Sequence, residues 1–420
     1  MTELPRSWVW TTIGEVCQKP KYGWTTSASD NGDVKLLRTT DLTHGPINWD
    51  TVPFCKETPK NVADFEVHPN DIFISRAGSV GVSAFVKDAP YKSVFASYLI
   101  RVRPTESIDS KYLSLFLESP HYWNQVIELS SGIALANINA TKIQSMTLPL
   151  PPIYEQHKIV ELLEDHLSRL DAAVADVKQA KLKAAQFRRS LLQAAFTGNL
   201  GSGGGSFKTE LPGGWRLSTI GEVAEIIRGV TYSKADTLSE NDKDAVPLLR
   251  ATNLEVDSID FEDMVYVPKH VVKAQQFLEL NDILLAASSG SISVVGKSAQ
   301  VVKTNGETFG AFCAVIRPKE IHPKFLSYWV QSPEIRDHWS ATAKGTNINN
   351  LKPSDISETK IYVPPLDEQH EIVELLEDHI SRLDISVSIA DAMEKQSIGL
   401  RRSLLQAAFT GQLTKEVVSV

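Results

Sequence analysis

Cysteine is scarce in this sequence: three residues in 420, at Cys17, Cys55 and Cys313. They are odd in number and far apart, and none forms a CxxC pair. That excludes a disulfide framework and a cysteine zinc site, and points to a reducing compartment. No run of about 18 apolar residues occurs, so no membrane-spanning helix is expected. Met1 to Trp10 lacks a basic stretch followed by an apolar core, so no signal peptide is expected there and a cytoplasmic location is. Positive charge is also in short supply. The net charge is −8. Residues 1–150 hold 14 Lys and Arg against 15 Asp and Glu, 151–206 hold 7 against 6, 207–363 hold 17 against 20, and 364–420 hold 5 against 10. No block carries a broad basic field. Any phosphate-facing surface must be a local patch, or a partner must supply much of the neutralisation.

Catalytic signatures are missing as well. A DNA amino-methyltransferase needs [N/D/S]PP[Y/F], but Pro151-Pro152-Ile153-Tyr154 lacks the leading polar residue and the adjacent aromatic. A phosphate-cradling loop needs GxxxxGK[ST]. The stretch from Gly290 to Gly296-Lys297-Ser298 has five residues between its glycines, and a strand-like run follows it. Glu358-Thr359-Lys360 has the ExK form of many nucleases, yet the nearest acid, Asp355, is too close for the usual strand arrangement. His157 and His166, like His370 and His379, are nine residues apart, not the three or four that share one helical face for a metal. Solvated or interface histidines are expected instead.

The dominant positive feature is internal repetition. EQHKIVELLEDHLSRLD (155–171) returns as EQHEIVELLEDHISRLD (368–384), offset by 213 and differing at two positions. RRSLLQAAFTGNL (188–200) returns as RRSLLQAAFTGQL (401–413), differing at one. The openings ELPRSWVWTTIGEV (3–16) and ELPGGWRLSTIGEV (210–223) also correspond. Between them the halves diverge around shared landmarks: LLRTTDL (36–42) with LLRATNL (248–254), NDIFISRAGS (70–79) with NDILLAASSGS (281–291), FASYLIRVRP (95–104) with FGAFCAVIRP (309–318), KYLSLFLESP (111–120) with KFLSYWVQSP (324–333). Each half is a variable domain followed by a nearly invariant segment, as if one scaffold carried two readers. At 420 residues, with 42% hydrophobic and 22% charged, the chain suits two or more globular domains.

The invariant segment predicts a long helix. Pro151-Pro152 precedes it and Glu155 falls in its first turn. Leu163, Leu170, Val177, Ala184 and Leu191 step by seven, with Leu167, Val174, Phe187 and Ala194 or Ala195 beside them. The second copy has Leu376, Leu383, Ala390, Ser397 and Leu404, with Ile380, Val387, Leu400 and Ala407. Heptads of this kind want a partner helix, and two halves related by a pseudo-two-fold would pair theirs antiparallel, with the variable domains at opposite ends. Thr-Gly at 197–198 and 410–411 ends each helix. The variable domains read as mixed short strands and helices. LLRTTDL, NDIFISR and YLIRVRP are strand-like, and Tyr112–Glu118 and Phe325–Gln331 helical. TLPLPP (147–152) and IYVPP (361–365) are strands leading into the long helices. The expected fold is therefore α+β: mixed domains at 1–150 and 207–363, and long helices at 151–200 and 364–420. Residues 201–206, GSGGGS, have the composition of a flexible, engineered-type linker and carry no fold information.

Duplicated variable domains, each followed by PPxxEQ and a helix ending RRSLLQAAFTG, resemble the specificity subunit of type I restriction–modification systems over nearly the whole chain. The resemblance implies a chain without catalysis or cofactor of its own. Its two target recognition domains would read a split, asymmetric site on double-stranded DNA. Its helices would set the spacing and dock two modification subunits, which carry S-adenosylmethionine and methylate adenine. ATP- and Mg-dependent restriction subunits would add translocation and cleavage. About 40 helical residues span roughly 60 Å, the length of roughly 17 base pairs. A coiled-coil scaffold for proteins and a self-contained DNA methyltransferase or nuclease are the competing readings; the acidic balance favours the first and the missing motifs oppose the second.

Base readout needs Arg or Lys for guanine, Asn or Gln for adenine, and adaptable Ser or Thr, on loops. In the first half the candidates are Lys21, Tyr22, Trp24 and Thr25, then Arg38, Thr39 and Thr40, then Arg76 and Ser79, then Asn137 and Asn139. In the second half they are Arg228, Thr231 and Tyr232, then Arg250 and Asn253, then Ser288, Ser289, Ser291 and Lys297, then Asn347, Asn349 and Asn350. The plain structural alternatives are a half-buried Trp24, ion pairs for Arg38 and Arg250, ordinary turns at the serines, and asparagines that cap.

Overall fold

Short β-prone runs broken by turns make each variable domain a small sheet structure edged by helices. The structure is a computed structural model that describes residues 4–42, 46–130, 137–196, 213–255, 257–344 and 348–415. The chain divides into two units, Met1–Lys178 with Asp391–Val420, and Gln179–Ala390.

In the first unit, an antiparallel sheet runs in the order Lys21–Tyr22, Leu99–Val102, Ile72–Ser75, Ser83–Phe85. A second sheet orders Ala28–Ser29, Phe54–Cys55, Lys35–Leu37 and Ser93–Phe95, the last two parallel. Val9–Thr12 pairs with Thr147–Leu150, which brings both ends of the domain to the start of the long helix. The second unit repeats the plan. Ala224–Arg228, Cys313–Pro318, Ile283–Ala286 and Ser298–Gln300 form its antiparallel sheet. Val265–Pro268, Ala245–Leu249 and Thr308–Phe309 form the next, and Arg216–Thr219 pairs with Lys360–Val363. The strand-like reading of LLRTTDL holds only for its start. Lys35–Leu37 is a strand, but Thr39–Leu42 is a 3-10 turn, because the Asp41 carboxylate accepts the Arg38 backbone N–H at 2.8 Å.

Each main sheet is pinned by an arginine forked onto a buried aspartate. Arg103 donates to both oxygens of Asp71 at 2.7 and 3.0 Å, and Arg317 to both of Asp282 at 2.7 and 2.8 Å. Both carboxylates are buried and accept a backbone N–H too, from His68 and Glu279 respectively.

The long helices are Ile153–Phe196 and Leu366–Phe409, each 44 residues. The second ends at Thr410-Gly411, with Gly411 at φ +74°; the corresponding 197–198 lies outside the described residues. Within the first unit the two helices run antiparallel: Thr414 reaches Glu155 at 3.3 Å, while Arg401 meets Asp171 at 2.8 Å. Ile159, Leu163 and Leu167 pack there with Leu405, Ala408 and Phe409. In the second unit the counterparts Ile372, Leu376 and Ile380 pack with Leu192, Ala195 and Phe196. Each domain thus receives the tail of the other repeat's helix. Phe409 sits 5.2 Å from Tyr112, and Phe196 sits 5.3 Å from Phe325.

Phe187 and Leu400, expected in the seam, are exposed. A strict seven-residue step from Val174 and Val387 arrives at Arg188 and Arg401, and one residue further round is roughly 100° away. The arginines fill those half-buried positions. Arg188 bonds Asp257 and Gln331 and lies near Asp384, and Arg401 bonds Glu118 and Asp171.

The EQ of each PPxxEQ segment joins helix to domain. The buried Gln156 accepts from Asp109 N–H at 2.8 Å and donates to the Ser107 and Pro151 carbonyls. Gln369 accepts from His322 N–H at 2.8 Å and donates to the Pro364 carbonyl. Replacing either by Leu strands buried backbone groups. Chemical denaturation of Gln156→Leu or Gln369→Leu should show a loss on the order of 3 kcal/mol.

Candidate nucleic-acid interface

At one end of each main sheet, five segments are tied together by backbone hydrogen bonds. In the first unit Trp24 N–H donates to Phe95 O at 2.8 Å, Ser97 N–H to Trp24 O at 3.0 Å, and Ala96 N–H to Leu37 O at 2.9 Å. Arg76 N–H donates to Tyr98 O at 2.9 Å and Ile138 N–H to Arg76 O at 3.1 Å. The second unit repeats this bond for bond: Val230 to Phe309, Ala311 to Val230, Gly310 to Leu249, Ala287 to Phe312, and Leu351 to Ala287. The loops that follow Lys21–Tyr22, Lys35–Leu37 and Ile72–Ser75, proposed from polarity alone, therefore share one surface, as do their counterparts.

That equivalence also sets the register of the asparagine segments. The Asn-Ile-Asn runs at 137–139 and 347–349 look like counterparts in the sequence, but the buried Ile138 corresponds to the buried Leu351, three residues beyond Ile348. The asparagine resemblance is local, whereas the register is set by which apolar residue enters the core. Asn139 caps the helix Ala140–Gln144 by accepting Lys142 N–H at 2.9 Å. Asn137 is half-buried. Asn347 lies outside the described residues. Asn349 donates to the Ser289 and Gly290 carbonyls, and Asn350 pairs with Ser288 through backbone and side chain.

The cations divide sharply. Lys21 is held by Asp64 at 2.8 Å, which keeps that carboxyl below its usual range. Arg38 is forked onto Asp41 at 2.9 and 3.1 Å, Arg250 meets Asp263 at 3.0 Å, and Lys297 lies 3.6 Å from Glu255. Arg76 differs. Its guanidinium lies 4.8 Å from the Tyr22 ring centre and forms no ion pair among the described residues; its buried Nε, like that of Arg250, has no partner there. Tyr22 in turn accepts the Ala140 N–H at 3.0 Å. Arg228, at the Tyr22 position of the second unit, is exposed and forms no ion pair among the described residues.

The remaining candidates separate by burial. Thr25, Thr40, Ser79, Thr231 and Ser291 are exposed; Thr39, Tyr232 and Ser289 are half-buried. Trp24 is half-buried, donates to the Glu57 carbonyl at 2.9 Å and packs on Phe65. Asn253 is buried and accepts Arg250 N–H while donating to the Asp260 and Glu262 carbonyls. Its amide has nothing left to offer a base, so it positions the Arg250 turn. An open cleft of about 590 Å³ in the second unit is lined by Thr231, Tyr232, Arg250, Ser288, Ser289 and Phe312. A search for polar loop residues misses Tyr98 and Phe312, which project from equivalent turns of this surface and are each 61% exposed. The aligned runs FASYLIRVRP and FGAFCAVIRP carry the signal: an aromatic opposite an aromatic among small residues.

No other chemistry gathers. Gly296-Lys297 leads into the strand Ser298–Gln300 rather than a helix. Among the described residues no three His, Cys, Asp or Glu side chains could hold a metal, and no helix is long and apolar enough to cross a membrane.

Two domains of one fold, repeated along the chain and each joined to a 44-residue helix, define a duplicated recognition architecture. The chain belongs to the type I restriction modification DNA specificity domain family, whose model matches residues 5–181 and again 212–395. It is 37% identical over 208 residues to the type I restriction enzyme EcoKI specificity subunit of Escherichia coli K12, a match covering 49% of this chain and 45% of that protein. The chain thus spans about half the length of that relative. It is 24% identical over 400 residues to the EcoBI specificity subunit of Escherichia coli, covering 91% of this chain and 81% of that one. The fold is similar, at a TM-score of 0.77 and 19% identity, to a chain solved in work on complex assembly and conformational transition of the type I R-M system, with 98% of this chain and 100% of that one covered.

Gly23 and Gly229 hold the loop clusters closed. A Cβ at Gly23 would lie 2.2 Å from Phe95 O, and one at Gly229 would lie 2.1 Å from Gly310 O. Gly23→Ala or Gly229→Ala should therefore force the backbones apart. Thermal unfolding is expected to register a loss of about 1–3 kcal/mol, confined to the mutated unit in hydrogen exchange.

Proposed function

We propose that this chain is the DNA sequence-recognition subunit of a type I restriction–modification complex, without catalysis or cofactor of its own, working in the cytoplasm. Residues 1–150 and 207–363 are its two target recognition domains, on spacer helices within 151–200 and 364–420. Each reads one part of a bipartite, asymmetric site on double-stranded DNA. Two modification subunits bring S-adenosylmethionine and methylate adenine; restriction subunits bring ATP- and Mg-dependent translocation and cleavage. The observation that carries this reading is the pair of loop clusters, matched bond for bond, each presenting an arginine with no acidic partner among the described residues: Arg76 and Arg228. Within the Gln179–Ala390 unit, Leu182, Phe187, Ile385 and Ile389 are exposed apolar positions on the long helices, which suits docking of partner subunits.

The test is co-expression with the cognate modification subunit, followed by mapping of methylated adenines at single-base resolution. A split motif methylated on both strands, and absent without this chain, is expected. A stable complex with no new methylation would leave a protein scaffold as the better description. Replacing residues 207–363 by another recognition domain should alter one half of the motif and leave the other intact.

The arginines give a finer prediction. Arg76→Ala and Arg228→Ala should each cost about 1–3 kcal/mol of binding to the mapped site. Arg38→Ala should cost less, because Asp41 already occupies that guanidinium. Equilibrium binding at several salt concentrations checks the order.

A further inference from the structure

Tyr98 and Phe312 are held outward by structure rather than left outside by a loose loop. Leu99 N–H returns to Ala96 O at 2.9 Å and Cys313 N–H to Gly310 O at 2.8 Å, closing the same tight turn in both units. The carbonyl of Tyr98 is fixed by Arg76 N–H, and that of Phe312 by the N–H groups of Ala287 and Ser288. The strand residues that follow, Leu99 and Cys313, are buried. Each turn is therefore anchored on both sides, and each still keeps a large ring 61% exposed. Exposure of an aromatic costs free energy that a polar residue in the same turn would avoid. Both domains bear that cost at the same position although their loop sequences otherwise differ. The surroundings suit a nucleic acid: Arg76, with no ion pair among the described residues, lies over the Tyr22 ring beside the first turn, and Phe312 borders the cleft with Thr231, Arg250 and Ser288.

We propose that Tyr98 and Phe312 are base-contacting residues, each packing its ring against the 5-methyl group of a thymine in the half-site its domain reads. Thymine alone presents an apolar group in the major groove, and an aromatic ring discriminates for it without any hydrogen bond. The ring also excludes water from the neighbouring polar contacts, which strengthens them. This inference rests on the DNA-recognition reading above.

The test uses the full chain in complex with its modification subunits and duplexes carrying the motif mapped by methylation. Phe312→Ala should weaken binding roughly tenfold, and Tyr98→Ala likewise, with the loss traced to one half-site each. Because neither ring carries a charge, the slope of log affinity against log salt should not change in these variants. Tyr98→Phe and Phe312→Tyr should retain binding. Uracil in place of one thymine per half-site should cost the parent roughly fourfold, the worth of one buried methyl group, and cost the matching alanine variant nothing further. Both rings are solvent-exposed, so thermal unfolding of the variants should match the parent. Full affinity and discrimination in both alanine variants, with binding lost in Arg228→Ala, would overturn this inference and leave the DNA-recognition reading standing. No DNA binding by the parent complex would overturn both.

Discussion

A single buried side-chain amide decides how each domain is attached to its long helix. Gln156 and Gln369 sit one turn into their helices, and each spends its amide on backbone groups at the helix entry and at the N-caps of the domain helices Ser110–Phe116 and Pro323–Gln331. A buried amide tolerates neither rotation nor slippage, because any displacement leaves donors and acceptors unpaired in a low-dielectric setting. The direction in which the helix leaves the domain is thereby fixed. Glu155 and Glu368 add a second tie at the same turn, through Thr414 and Trp215 respectively. This explains physically why the same two residue types recur at this position in both halves.

The pattern of agreement between the halves follows from packing. The matched stretches, 155–171 and 188–196 with their copies, are the parts of each helix that bury residues in a domain core. One stretch serves the helix's own domain and the other serves the opposite repeat's domain, and both must present the same knobs: Phe196 for Phe325, Phe409 for Tyr112 and Phe116. The arginines Arg188 and Arg401 complete the match by reaching a helix residue and a domain residue at once. Between these stretches the side chains are mostly exposed, and there the two copies diverge.

The acidic balance, which counts against nucleic acid when read as a sum, has a local explanation. Lys21, Arg38, Arg250 and Lys297 each sit beside a carboxylate. Those pairs shape loops more than they project charge, and at partly exposed positions each contributes little to stability. Among the described candidate cations, what remains without an acidic partner is Arg76 on its Tyr22 platform in the first unit and Arg228, at the Tyr22 position, in the second. A surface of this kind suits base-edge readout more than phosphate attraction. The phosphate share of affinity then falls to partner subunits under the proposed function.

The repeat, the strands Ile72–Ser75 and Leu99–Val102 and the long helices were legible in the sequence, because periodicity, Pro-Pro entry and Gly411 exit act through neighbouring residues. So were the loops of the candidate site, since polar turns flanking short strands are local features. Residue roles within those loops were not. Whether Asn253 faces solvent or fills a turn, whether Asp41 captures Arg38, and which of Asn137 and Ile138 enters the core all depend on segments far away in the chain. The same holds for Phe187 against Arg188, where the choice of buried position rests with Asp257 and Asp384. Composition favours burying aromatics, so the aligned Tyr98 and Phe312 mark a shared position in the sequence without showing that it is exposed; only the turns closed by Ala96 and Gly310 turn them outward. The chain by itself determined its duplicated design and its helical scaffold. Tertiary structure decided which side chains are spent on holding that design together and which are left free, because hydrogen-bond and burial accounts are settled by long-range contacts.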